Sequence, residues 1–386
     1  MKVFVIAGEP SGDALGGALM QGLKALRPDI KFEGVGGPLM QAEGLVSRFD
    51  MSELSLMGLA EVLPKYFHLK RRIRETAQAV IKTKPDVLIT IDSPDFCLRV
   101  AGMVKAASDI RTVHYVAPTV WAWRPKRAAK MAKMIDQVLA LFPFEPPYME
   151  AEGIRCDFVG HPVVTSSVAS SEDASAFRLS HGIGSDSPMV LVLPGSRMGE
   201  VTRLSDCFAG AMHRYKAEHS EAHFIIPAAA PVAQWLQDHR ELWPADTVIL
   251  DPRDLDPNAA DQMKRAAFAA ADMALAASGT VSLELAAAGT PMVIAYEMNW
   301  LSRQIISRML LTDTVTLVNL VSDTRVVPEF IGAACQPVPI AAALNDVMND
   351  PAPQLEAMAK TMDLLGQGFE PPGLRAARAV LDGLTR

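Results

Sequence analysis

The sequence predicts an α/β protein of two doubly wound, Rossmann-like halves, each a parallel sheet covered by helices. Three observations predict it. Short apolar runs alternate with helix-period segments, with brief connections, as in strand–helix–strand units. The alternation lapses in a Ser-rich stretch after Gly160-His161-Pro162 and then resumes. Finally, 386 residues, 49% of them apolar and 21% charged, exceed one ordinary core but supply two.

In the first half, strands are expected at Val3 to Ala7, Phe32 to Val35, Val87 to Ile91, Thr112 to Val116, Gln137 to Ala140 and Asp157 to Val159. Helices are expected from Ser11 and around Gly58 to Lys82. VVTSSVASSEDAS has no periodicity and suits a linker. Beyond it come strands at Met189 to Leu193, Phe224 to Pro227 and Val248 to Leu250, with helices from about Gly199, near Val232 and through Met263 to Ala271. The expected division is 1–165, 166–365, and a terminal helical segment 366–386 that can return to brace the first domain.

A formal net charge of -7 argues against a general nucleic-acid binder. Four cysteines, Cys97, Cys156, Cys207 and Cys335, lack C-x-x-C spacing, so neither a disulfide framework nor a zinc site is expected, and a reducing cytoplasm fits. MKVFVIAGEPSGD reads as a first strand and turn, not as a signal peptide. No apolar run approaches the roughly 20 residues that cross a bilayer.

In parallel sheets of this kind, ligands bind beyond the carboxyl ends of the strands, so the turns there are the candidate sites. Asp272 to Ile294 reads as strand, Ser278-Gly279-Thr280 turn, helix and strand. The small turn residues open the first helical N–H groups to an anion, and Glu284, one helical turn past Thr280, suits sugar hydroxyls. Phosphate beside ribose means a nucleotide; the rival reading is a capped helix with a solvated charge. Gly195-Ser196-Arg197 closes another strand, and the arginine fork suits a diphosphate. The two turns together make a phosphate clamp; two unrelated capped turns are the alternative.

Gly8-Glu9-Pro10-Ser11-Gly12-Asp13 opens the first helix, with Ser11 as its expected cap. It matches neither G-x-G-x-x-G nor a P-loop. Asp92, in Ile91-Asp92-Ser93-Pro94-Asp95, ends a strand where a carboxylate can act as general base; one of Asp92 and Asp95 is also expected to cap the helix at Pro94. Trp121 and Trp123, followed by Arg124, suit sugar rings or acyl chains as well as a core anchor. Lys126, Arg127, Lys130 and Lys133 recur at helical spacing, as on a solvated face. Asn319 alone reads as a turn former, and His161 as a structural residue. Between Leu63 and Arg74, Leu63, Tyr66, Phe67, Leu69 and Ile73 interleave with Lys65, Lys70, Arg71, Arg72 and Arg74. Such a segment lies on an anionic membrane or packs against the sheet.

GEPSGD, MGLAEVL, KPDVLITIDSPDF, HYVAPTVWAWR, FPFE, FVGHP, LPGSR, ASGTVSLE and TLVNL occur in that order over essentially the whole chain. This series resembles the lipid-A-disaccharide synthases, inverting glycosyltransferases of GT-B type whose two domains face a cleft. The resemblance implies transfer of diacylglucosamine from UDP-2,3-diacylglucosamine to the 6-hydroxyl of 2,3-diacylglucosamine 1-phosphate, with UDP leaving and no cofactor or metal required. It implies Asp92 as general base, with Gly195, Ser196, Arg197, Ser278, Gly279, Thr280, Glu284 and Asn319 on the donor. Gly8, Glu9, Ser11, Gly12, Asp13, Trp121, Trp123 and Arg124 would take the acceptor. Location on the inner face of a bacterial cytoplasmic membrane is implied too, with a homo-oligomer left open. Where the family often has GETSGD and YVSPSVWAWR, this chain has Pro10 and Ala117, which weakens any role for hydroxyls there. Other UDP-sugar transferases, UDP-sugar epimerases and a membrane-surface lipid carrier remain rivals.

Overall fold

A computed structural model describes residues 1–54, 59–122, 126–298 and 312–385, with the backbone alone for 59–65. Its contacts divide the chain into two compact units, Met1–Thr165 with Leu365–Arg386, and Ser166–Leu364.

In the first unit the strands are β1 (Lys2–Ala7), β2 (Lys31–Val35), β3 (Val87–Ile91), β4 (Arg111–Tyr115), β5 (Gln137–Ala140) and β6 (Arg155–Phe158). They pair in the order β2-β1-β3-β4-β5-β6, all parallel. β3 is buried at all five positions, as a strand covered on both faces must be. The covering helices include α1 (Pro10–Leu26), the one-turn α2 (Pro38–Ala42), α3 (Leu59–Thr83), α4 (Pro94–Lys105), α5 (Lys126–Met131) and α6 (Pro146–Glu150). The last helix, Pro372–Leu384, packs along α1 and is tied to the sheet. Gln137 Nε2 donates to the Ala379 carbonyl at 2.9 Å, and Arg375 to that of Phe158 at 3.1 Å.

The second unit holds α7 (Ser171–Ser180), β7 (Met189–Leu193), α8 (Met198–Glu218), β8 (His223–Pro227), α9 (Ala230–Asp238), β9 (Val248–Leu250), α10 (Pro257–Ala270), β10 (Met273–Ala277), α11 (Val281–Ala288), β11 (Met292–Tyr296) and β12 (Glu329–Ile331). The parallel order is β12-β11-β10-β7-β8-β9. Each sheet therefore reverses its winding once, between β1 and β3 in one unit and between β10 and β7 in the other. Those two switch points are where the crevices of doubly wound sheets open.

Local readings changed in four places. The Ser-rich stretch is only partly irregular: Ser170 and Asp173 form a reciprocal capping box that starts α7. Glu9, not Ser11, stands at the cap of α1, because Pro10 supplies the first helical position with its fixed φ. Neither Asp92 nor Asp95 caps α4; Ser93 occupies the cap. Asn319 lies on a short helix, Leu317–Ser322, rather than in a turn.

Candidate functional site

At the switch point of the second unit, the carboxyl ends of β7, β8, β9 and β10 surround a cavity of about 650 Å³. Gly195, Ser196 and Arg197 enter from β7; Ser278, Gly279 and Thr280 enter from β10, and Glu284 from the first turn of α11. Two turns 83 residues apart are thus brought to one cavity. Gly195 has φ +123°, and a Cβ there would stand 2.8 Å from Glu200, so the turn is available only to glycine. At Gly279 a Cβ would meet nothing within 4 Å, which leaves the mouth of α11 open. The first-turn N–H groups and the helix dipole give this mouth its affinity for anions.

Charges flank it as pairs. Arg197 bonds Glu200 at 3.1 Å, and Lys264 of α10 bonds Glu284 at 2.5 Å. Arg197 is 60% exposed at its side chain, and Lys264 and Glu284 are each about two-fifths exposed, so both cations can turn to a ligand. Lys264 was not singled out in the sequence. It lies 20 residues from Glu284, and only the packing of α10 beside α11 relates them. Asn319 does not line this cavity. Its buried amide donates to the Val327 carbonyl at 3.0 Å and to Thr314 Oγ1 at 3.2 Å, and accepts from the Val327 N–H at 3.0 Å.

In the first unit, the turns after β1 and β3 meet at the other switch point. A Cβ on Gly8 would stand 2.6 Å from Ser93 Oγ, so any side chain here would push Ser93 aside. Asp92 and Ser93 both adopt left-handed backbone, at φ 48° and 42°, a costly conformation for non-glycine residues that collects at functional sites. The Asp92 N–H is held by the Tyr115 carbonyl at 3.0 Å. Burial raises the Asp92 carboxyl above the usual range, opposed by the Ser93 N–H.

Glu9 is half-buried and Ser11 exposed beside them. Gly12 is buried against Ala7 and Ile91. Asp13 is spoken for: it is 3% exposed and accepts from the N–H groups of Gly37, Leu39 and Met40, capping α2. Trp121 packs edge-on to Phe144 at 5.1 Å. Trp123 and Arg124 lie outside the described residues. His114 is buried against Thr90 Oγ1 at 2.8 Å and His161 stacks on Phe142; burial pushes both down to about 4, leaving them neutral.

The sequence reading gave no role to Glu145, in FPFE. It is 2% exposed, accepts from the N–H groups of Leu141 and Phe142 at 3.1 and 3.0 Å, and burial pushes it up to about 7, opposed by those bonds and by the Trp121 side chain. The single acid in an apolar motif was its signal.

The model of the family described as Lipid-A-disaccharide synthetase matches residues 3–368. The chain belongs to that family. A lipid-A-disaccharide synthase of Ruegeria pomeroyi is 64% identical over 384 residues, covering 100% of this chain and 96% of the relative. Those of Rhodospirillum centenum and Pseudomonas aeruginosa strain UCBPP-PA14 are 44% and 39% identical, covering 100% of this chain and 95% and 99% of theirs. Among solved structures, a UDP-GlcNAc 2-epimerase of Neisseria meningitidis bound to UDP-GlcNAc superposes with TM-score 0.61 at 12% identity, covering 100% of both chains. MurG of Acinetobacter baumannii does so with TM-score 0.55 at 14% identity, covering 100% of this chain and 99% of that one. These likenesses show the fold alone, and it is of GT-B type. Family membership makes the chain a glycosyltransferase of lipid A biosynthesis.

Proposed function

We propose that this lipid-A-disaccharide synthetase family member transfers diacylglucosamine from UDP-2,3-diacylglucosamine to the 6-hydroxyl of 2,3-diacylglucosamine 1-phosphate, and that its two switch points divide the work. The observation that carries this reading is the cavity gathering Gly195 to Arg197, Ser278 to Thr280 and Glu284 at one switch point. In it the pyrophosphate sits against the mouth of α11 with Arg197 as its fork, and the ribose hydroxyls donate to Glu284. Asp92 takes the proton of the acceptor 6-hydroxyl as that oxygen bonds to the anomeric carbon. The bond from that carbon to UDP breaks on the opposite face, which inverts the centre, and the released negative charge is stabilised by Arg197 and the helix mouth. A half-buried carboxyl with raised proton affinity, fixed by strained backbone, suits such a base.

The turn from Gly8 to Asp13 and the Trp121 to Arg124 loop take the acceptor in this reading. Asp13 contributes through the α2 turn it caps, and Asn319 through the contacts it fixes to Thr314 and Val327, rather than by touching ligand. Among the described residues no helix is long and apolar enough to cross a membrane. We assign α3 to the inner surface of an anionic membrane, supported by the exposed Tyr66 and Phe67 beside exposed Lys70, Arg71 and Arg74. Arg72 is not part of that surface, since it turns in to Glu53 at 2.8 Å, and the Leu63 side chain lies outside the described residues.

One assay tests the reaction. Purified protein is given both glycolipids, and UDP release is followed together with disaccharide. Coupled formation is expected; UDP-sugar isomerised without acceptor would make the chain an epimerase, and lipid binding indifferent to UDP a carrier.

A further inference from the structure

A second cavity, of about 670 Å³, lies in the first unit along the outer side of α4, between α3 and α5. Its walls are apolar: Ile73, Leu98, Met103, Met131 and Met134 line it, and methionine adapts to flexible chains. Its rim is cationic. Lys70, Arg74, Arg99, Arg127 and Lys130 surround it with one acid, Asp95, in a chain whose net charge is -7. Neighbouring cations outside the cavity are neutralised: Arg71 pairs with Glu75, Arg72 with Glu53, and Lys105 with Asp136. Arg74, Arg99, Arg127 and Lys130 form no such ion pair among the described residues.

The concavity is built at Gly102. Glycine inside a helix costs about 1 kcal/mol against alanine, and packing does not require it here. A Cβ at Gly102 would meet only Met134, at 3.6 and 3.9 Å. The groove runs from Pro94, two residues from Asp92, to Ala106, about 18 Å along the helix. Basic rim, apolar floor and an origin beside the proposed base define one ligand chemistry, an acyl chain carried with a phosphate.

We infer that this groove seats an acyl chain of the glycolipid acceptor and that its cationic rim holds the acceptor 1-phosphate; this rests on the reaction proposed above. The test uses the full-length enzyme in neutral detergent micelles, with KM measured separately for donor and acceptor. One variant removes rim charge, Arg99→Ala with Arg127→Ala and Lys130→Ala; the other, Gly102→Leu, fills the groove while improving helix propensity. Both should keep wild-type melting temperatures and raise the acceptor KM about tenfold or more, with donor KM unchanged. The Gly102→Leu defect should shrink with a short-chain acceptor while the charge defect persists. If wild-type enzyme forms disaccharide and both variants keep its acceptor KM, the groove is rejected alone. If wild-type enzyme forms none, the reaction and the groove fall together. Defects that appear only with anionic vesicles, and vanish in neutral micelles, would assign the groove to bilayer lipid and overturn the inference.

Discussion

The two units solve the same topological problem with opposite materials. In the second unit the strand order, counted within the unit, is 6-5-4-1-2-3, and its switch point carries charges that pair with one another, Arg197 with Glu200 and Lys264 with Glu284, both cations being well exposed to water. In the first the order is 2-1-3-4-5-6, and two acids in the segments that follow its strands are withdrawn from water and held by backbone N–H groups, Asp13 by three and Glu145 by two, while Asp92 at the end of β3 is half-buried on strained backbone. A grip on a polyanion needs cations that can leave one partner for another, and exposed pairs are cheap to break. A reacting carboxylate needs the reverse, a fixed position and a proton affinity set by burial.

The largest expected effect separates these roles. Asp92→Asn should lower turnover about a hundred- to ten-thousandfold, the share a positioned base supplies, while UDP affinity by calorimetry stays at the wild-type value. Burial raises the wild-type Asp92 carboxyl, so its rate should fall on acidification at a higher pH than for an ordinary carboxylate and level off above it. If Asp92→Asn weakened UDP binding as much as a change in the second unit does, the division of labour would fail.

Glu145 probes how far burial shapes the first unit. In the unfolded chain it ionises near its ordinary value of 4.5, whereas in the fold it keeps its proton to about 7. Between those values the unfolded chain binds fewer protons, so stability is intact below the window and lost as pH rises through it. Glu145→Gln should therefore melt like wild type at pH 4 and gain about 3 kcal/mol on it by pH 8, read from urea midpoints. A pH-independent difference would show that the N–H bonds to Glu145, not its burial, dominate.

How legible all this was depended on range. β3, β5, β7 and β9 fall at the expected residues because each is a short, mostly apolar run, fully buried in β3, β5 and β7 and nearly so in the edge strand β9. The clamp was legible because small residues at strand ends serve backbone geometry, as the positive φ of Gly195 shows. Buried polar side chains were not legible. Asp13, Asn319 and Glu145 look like any polar residue in a motif until the backbone groups they satisfy come from 3 to 27 residues away. The Lys264–Glu284 pair and the groove at Gly102 arise only from neighbouring helices, for which no local spacing is diagnostic.

In the second unit the effects should be smaller and fall on affinity. Arg197→Ala removes a charge-assisted fork and should weaken UDP about ten- to a hundredfold, with the melting temperature unchanged because its exposed pair with Glu200 contributes little to the fold. Glu284→Gln is the gentlest cut. The amide keeps an oxygen for a ribose hydroxyl but loses the charge that engages Lys264, so UDP should weaken only about two- to tenfold. Lys264, once released, is free to approach the pyrophosphate and offset part of that loss. The double variant Glu284→Gln with Lys264→Met should then bind UDP more weakly than the product of the single effects, a coupling that exists only if the pair faces the same phosphates as Arg197.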